Sequence, residues 1–253
     1  MIKGIALGFL AYALFSGADA CIKALGGHMS IFEILFLVTL ATCATLGFAK
    51  SKDETWSTVF HMHRPVLILL RAIGGTVAGL LGVYAFTTLP FAEAYSLLFL
   101  MPAFATILSV PILGEEVGWR RWTAVGVGFL GVLLVVRPGF RELHLGHLAA
   151  AFAAIFAAMS MIVLRMIGQT EKRITVLTYV YLMALVVNAP FMIADFTVPG
   201  WREVGLVLLA GAVGGFGQIA MMIANQSRSR QSRGAGTVQP DHMGRGFRRR
   251  LLR

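Results

Sequence analysis

The sequence predicts an all-α integral membrane protein assembled from two related copies of one helical unit. Three observations carry this reading. Of 253 residues, 57% are hydrophobic and only 13% charged, whereas a soluble domain carries about a quarter charged residues. The apolar residues are gathered into runs close to the ~20 residues that cross a hydrocarbon core as a helix. The chain also starts over. Gly4, Ala11 and Lys23 recur as Gly146, Ala153 and Arg165 at a shift of 142, and Leu69, Gly74 and Gly75 recur as Leu209, Gly214 and Gly215 at a shift of 140. Continuous apolarity selects helices over a barrel, whose strands alternate and run only about 10 residues.

Eight runs read as spans: 5–25, 31–49, 66–89, 91–113, 122–136, 148–164, 174–194 and 204–224. The first is longer than a signal-peptide core, lacks a small-residue cleavage site and is followed by further spans, so it counts as a helix. The second opens on Glu33, either a partner for Lys23 or simply an acid placed where a helix N-terminus favours one. The third carries Arg71 and a glycine pair. The fourth follows Leu89-Pro90 and holds Pro102 about 11 residues in, near mid-membrane, where proline kinks a helix and frees a carbonyl. The fifth is short, with a start nearer Val117 left open. The sixth to eighth repeat the first three. Gly4/Gly8, Gly75/Gly79 and Gly211/Gly215 are small-xxx-small pairs that mark close helix packing. Trp56, Trp119, Trp122 and Trp201 fall near span ends, where amphipathic rings favour the interface.

The organisation that follows is a five-span repeat over 1–139, a three-span partial repeat over 146–224, and a tail over 225–253. An odd number of spans per repeat points the second copy the opposite way through the bilayer, as in transporters built from inverted repeats. With the N-terminus in the cytoplasm, the inside receives Lys3, Lys50, Lys52, Arg64, Arg71, Arg120, Arg121, Arg165, Lys172 and Arg173. The outside receives only Lys23, Arg137, Arg141 and Arg202. That asymmetry supports the N-in orientation.

The net charge of +10 is concentrated in the tail, where eight arginines stand against one aspartate. The basic balance of the spans therefore gives no reason to expect nucleic acid. The tail is polar, Gly/Arg-rich and without helical period, which predicts a disordered or surface-bound segment. Cys21 and Cys43 both fall inside spans and read as buried thiols.

Enzyme signatures are lacking: there is no HExxH, GxSxG or Walker-type loop and no Cys/His cluster, so no catalytic residue, metal site or cofactor is assigned. His61 and His63 read as a solvated loop, and His28, His144 and His147 have no evident partners. Ionisable groups inside spans are the better clue, because charge at membrane depth is costly and faces a cavity or a partner. Asp19 and Lys23 share a face one turn apart and can pair. They read as an outer gate or substrate contact, or as a helix-end pair whose lysine snorkels. Arg71 is a snorkelling residue or part of an inner gate. Glu93 is a cap or a cavity carboxylate. Pro102 opens the backbone or merely bends it. Tyr84, Tyr95, Ser96 and Gln218 could supply polar contacts along the pathway.

These residues carry a resemblance. Leu89-Pro90-Phe91-Ala92-Glu93-Ala94, then Pro102, Leu113-Gly114-Glu115 and Val136-Arg137-Pro138-Gly139, resemble the end of an EamA repeat, and Asp19-Ala20 with Lys23 and Arg71 followed by glycines resemble its opening helices. The resemblance covers about 1–224 and implies a permease of the drug/metabolite transporter superfamily, similar to its S-adenosylmethionine-uptake-like branch. It implies ten helices in inverted five-helix repeats, a central cavity and alternating access, in the inner membrane. About eight helices are present, and the last two of the second repeat are missing. A frameshift is one cause: read one nucleotide forward, Met243-Gly244 must give tryptophan whatever the glycine codon, and the coding DNA would decide. The leading reading is a small-metabolite carrier in the bilayer. The alternatives are a non-transporting remnant, or a scaffold whose basic tail binds anionic lipid at about 1 kcal/mol per arginine. Dimerisation would supply the absent wall.

Overall fold

The computed structural model describes residues 2–50, 59–136, 144–167 and 170–236, with side chains between 6 and 224. Trp56, Lys52, Arg137, Arg141 and the tail from Thr237 lie outside the described residues. Within them the chain forms α1 (Ile2–Leu25), α2 (Ile31–Cys43), α3 (Leu46–Ala49), α4 (Pro65–Thr88), α5 (Phe91–Leu98), α6 (Met101–Leu113), α7 (Trp119–Val136), α8 (Leu145–Ile167), α9 (Arg173–Ala194) and α10 (Trp201–Gly236).

Among the described residues, seven segments are long and apolar enough to cross a membrane, with α5 and α6 counted together as Phe91–Leu113. The second run is the exception. It ends as a helix at Cys43 after 13 residues, a rise of about 20 Å, and resumes as the single turn α3. The Thr42 hydroxyl donates to the Val38 carbonyl at 2.7 Å and the Thr45 hydroxyl to the Thr42 carbonyl at 2.7 Å. Such back-bonding competes with the helical ladder. Thr42 also reaches the Gly211 carbonyl of α10 at 3.2 Å, and a side chain at Gly211 or Gly215 would collide with Ala41, Thr42 or Thr45. Gly211 and Gly215 thus serve close packing, as their spacing predicts, whereas Gly8 faces open space and Gly79 makes only an ordinary contact with Leu35.

Pro102 sits in the first turn of α6, at the break where Phe99 and Leu100 separate α5 from α6. Its missing N–H leaves the Leu98 carbonyl without an i+4 donor, which is why the helix breaks there. The short fifth run starts at Trp119. At the other end, α10 runs on as backbone to Gly236, so the first part of the stretch expected to be irregular is helical. An established helix extends readily through Gln and Arg, which are good helix formers.

Three bonds fix helix direction. Lys23, near the end of α1, donates to the Leu89 carbonyl just past the end of α4. Glu93, in the first turn of α5, meets His147 in the first turn of α8. Thr197, after α9, donates to Glu33 at the start of α2. The face where α1 ends, called distal here, is therefore the face where α8 begins. The two copies run antiparallel, as an inverted repeat requires.

The packing has the matching symmetry. α1 lies along α10 and α8 lies along α4, while α2 crosses α9. Exchanging α1 with α8, α2 with α9 and α4 with α10 returns the same set of pairs. α5 and α6 cover α8, with Ala94, Leu97 and Leu100 packed in one cluster with Ala150 and Ala154. A second cluster gathers Ala49, Ile68, Ile167, Leu177, Tyr181 and Met222 toward the opposite, proximal face. A third gathers Leu25, Ile34, Val83 and Val207 toward the distal face.

Candidate functional site

The distal half is organised by Leu89-Pro90. Leu89 is extended, with ψ 156°, as a residue before proline prefers, so α4 stops. Pro90 has no N–H, so the Phe86 carbonyl, four residues earlier, has no helical donor. The Lys23 ammonium takes that place. It donates to Phe86 at 2.9 Å and to Leu89 at 2.8 Å, and lies 5.6 Å from the centre of the Phe91 ring. A cation at a helix C-terminus also complements the macrodipole.

Asp19 consequently does not pair with Lys23, contrary to the i,i+4 expectation. The lysine has turned to two carbonyls, and Asp19 Oδ2 instead accepts the Tyr95 hydroxyl at 2.7 Å. Tyr95 belongs to a run of aromatic rings. Its centroid is 5.2 Å from Phe86, 4.8 Å from Phe91 and 5.4 Å from Phe99. Asp19 lies six residues before the end of α1, about 9 Å from the distal end. The distal half therefore presents a half-buried carboxylate beside ring faces, a surface that favours cationic groups.

Glu93 is neither a simple cap nor free. Its Oε2 accepts from His147 Nε2 at 3.2 Å, with both residues only 7% exposed. His147 Nδ1 accepts the His144 amide at 3.0 Å. His147 thus has a partner that sequence did not reveal, and the pair joins α5 to α8 across the repeats. On the proximal face Glu171, absent from the sequence-derived candidates, has a comparable role. It is 5% exposed, and its Oε1 accepts the amides of Arg64 and of His63, the latter at 2.7 Å. These are amides at the start of α4, where a helix favours an anion.

Arg71 lies six residues into α4, about 9 Å from the proximal end. Its Nη1 donates to the Ser160 hydroxyl of α8, and that hydroxyl donates back to the Arg71 carbonyl at 3.0 Å. Gly74 and Gly75 make room. A Cβ at Gly75 would stand 3.2 Å from Arg71 Nη1, and one at Gly74 would stand 3.4 Å from Ser160 Cβ.

The other candidates do not join these groups. Ser96 donates to the Glu93 carbonyl within its own helix at 2.8 Å. Pro102 is exposed, and Tyr84 and Gln218 are half-buried. Glu33 is fully buried at the start of α2, capped by Ser30 and bonded to Thr197 at 3.0 Å, so it is not the partner of Lys23. Ser160 and Tyr181 were missed by sequence reasoning. The available signal was depth: Ser160 lies seven residues from the end of α8, level with Arg71 on an antiparallel helix.

The chain is similar to proteins of known role. The S-adenosylmethionine uptake transporter of Rickettsia prowazekii (strain Madrid E) is 26% identical over 220 residues, covering 85% of this chain and 72% of that protein. The pseudopaline exporter CntI of Pseudomonas aeruginosa (strain UCBPP-PA14) is 27% identical over 219 residues, covering 86% of this chain and 76% of that one. One solved crystal structure superposes with a TM-score of 0.62 at 21% identity, over 87% of this chain and 79% of the other, and supports the fold alone. The profile of the EamA-like transporter family matches residues 2–137. This integral membrane chain, with its inverted helical copies, belongs to the EamA-like transporter family.

Proposed function

We propose that the chain carries a small charged metabolite across a bacterial inner membrane by alternating access, with the N-terminus in the cytoplasm. The observation that carries this is the exchange symmetry of the α1–α10 and α8–α4 pairs. Two near-equivalent halves facing opposite ways give two near-equivalent arrangements, one open to each side. Side chains join the halves at both faces, through Glu93 and His147 distally and Glu171 with the α4 amides proximally. Opening one face requires that face's bonds to break. The substrate passes Asp19 and the Phe86–Tyr95 rings distally, and Arg71 proximally.

The first of the relatives described above is named for the uptake of S-adenosylmethionine, so S-adenosylmethionine is the first probe. Labelled S-adenosylmethionine is offered to liposomes holding the full chain. Saturable uptake above empty liposomes is the expected result, and flux equal to empty liposomes with inserted protein contradicts the carrier.

One observation favours the second reading, an inserted remnant that carries nothing. Positions equivalent under the repeat differ in cover. Ala154 is 0% exposed while Tyr12 is 46% exposed, and Ser16 and Ala20 are exposed where Ala158 and Ile162 are buried. Of the α8 positions equivalent to this exposed stripe on α1, Ala154 is packed in the cluster that Ala94 and Leu97 of α5 share.

A further inference from the structure

Arg71 does not snorkel. Its helix starts at the proximal face, yet the guanidinium lies against Gly75, one turn toward the membrane centre. Helical side chains ordinarily lean toward the N-terminus, and a charged one near a span end gains by reaching for headgroups. Here the head goes the other way, into the protein.

Its surroundings do not neutralise it. Among the described residues no carboxylate pairs with Arg71. Its partner is a neutral hydroxyl, that of Ser160, 2% exposed. Arg71 Nε is buried without a hydrogen-bond partner, and so is the Tyr181 hydroxyl of α9; α9 comes close here, since a Cβ at Gly75 would stand 3.2 Å from Arg71 Nη1 and 3.8 Å from Val180, next to Tyr181. An unpaired guanidinium at membrane depth is costly and marks a pathway or a ligand, and a buried donor left unmade is costly as well. Two donors on α4 and α9, Arg71 Nε and the Tyr181 hydroxyl, are thus left without an acceptor, while the Ser160 hydroxyl of α8 holds the guanidinium in place. Gly75 keeps the space beside it free of a side chain.

We infer that Arg71, Ser160 and Tyr181 form an anion subsite that receives the carboxylate of the transported metabolite on the proximal side. This rests on the carrier reading above and adds the charge of the ligand. Guanidinium and carboxylate match as a two-point pair, and Tyr181 adds a third donor.

The test uses the full chain in detergent micelles and two probes, S-adenosylmethionine and its decarboxylated counterpart, which differ by the carboxylate. The wild type is expected to bind the carboxylated probe about tenfold more tightly. Arg71→Gln should erase that preference and leave the decarboxylated probe unaffected. Equal binding of both probes by the wild type, or a preference that survives Arg71→Gln, overturns the subsite. A second measurement needs no substrate. Arg71→Met removes an uncompensated charge, so the ligand-free protein should unfold at a higher temperature, whereas a lower temperature marks a structural arginine and overturns the inference. If neither probe binds while Arg71→Met still stabilises, the anion subsite stands and the choice of substrate falls.

Discussion

The Lys23 ammonium donates to the Phe86 carbonyl at 2.9 Å because Pro90, four residues after Phe86, has no N–H to offer it. One proline thus links the end of α1 to the end of α4. The Leu89-Pro90 dipeptide leaves a carbonyl open on one helix, and a lysine 63 residues away closes it. Lys23→Met should destabilise the protein by about 1–3 kcal/mol, the usual cost of an unpaired buried acceptor. The loss should shrink in a Pro90→Ala background, which restores a backbone donor. A double-mutant cycle on detergent unfolding checks this, and additive losses would contradict it.

Asp19 and Tyr95 are expected to matter for transport more than for folding. Asp19→Asn keeps the shape and removes the charge that faces the rings. Initial uptake of a cationic substrate should fall about tenfold, a transition-state loss of about 1.4 kcal/mol, with little change in unfolding temperature. Unchanged uptake would remove Asp19 from the pathway.

Glu93 and His147 behave as a unit. Either Glu93→Ala or His147→Ala removes the buried hydrogen bond that joins α5 to α8, so each should cost about 1–3 kcal/mol. The double variant should cost no more than the worse single one. Thermal unfolding of the three variants measures this, and strict additivity would mean the two side chains act independently.

The α1 stripe predicts a contrast in solvent phase. A spin label on Ser16→Cys should meet oxygen dissolved in lipid, while a label on Ala158→Cys should be shielded inside the bundle, where Ala158 is 0% exposed. Power-saturation measurements on the two variants decide. Equal shielding would show that something covers α1 as α6 covers α8.

The spans were legible because apolar runs and their repeat are one-dimensional properties. Even the break at Pro102 could be read, since it follows from one missing N–H. The truncated second helix could not be. Its end depends on Thr42 and Thr45 turning to local carbonyls while Gly211 and Gly215 bring α10 close, and glycine spacing alone does not name the partner. The site was legible as residue types and not as pairs. Asp19 and Lys23 look matched at i,i+4, yet each prefers a partner on another helix, a tyrosine in one case and two carbonyls in the other. Carbonyl acceptors are invisible in sequence, as is the fact that His147, on the second repeat, stands beside Glu93 of the first. Arg71 was read as a snorkelling residue because span position alone cannot give the direction of its side chain.

The account depends on α8 running antiparallel to α1. Single-cysteine variants in a background without Cys21 and Cys43 test this with a membrane-impermeant maleimide. His28→Cys marks the end of α1, Leu145→Cys the start of α8, and Glu116→Cys the α6–α7 connection; all three positions are exposed. Labelling of positions 28 and 145 from one side and of 116 from the other is the predicted result. Labelling of 28 and 145 from opposite sides would mean that the copies face alike, and the inverted-repeat account would be wrong.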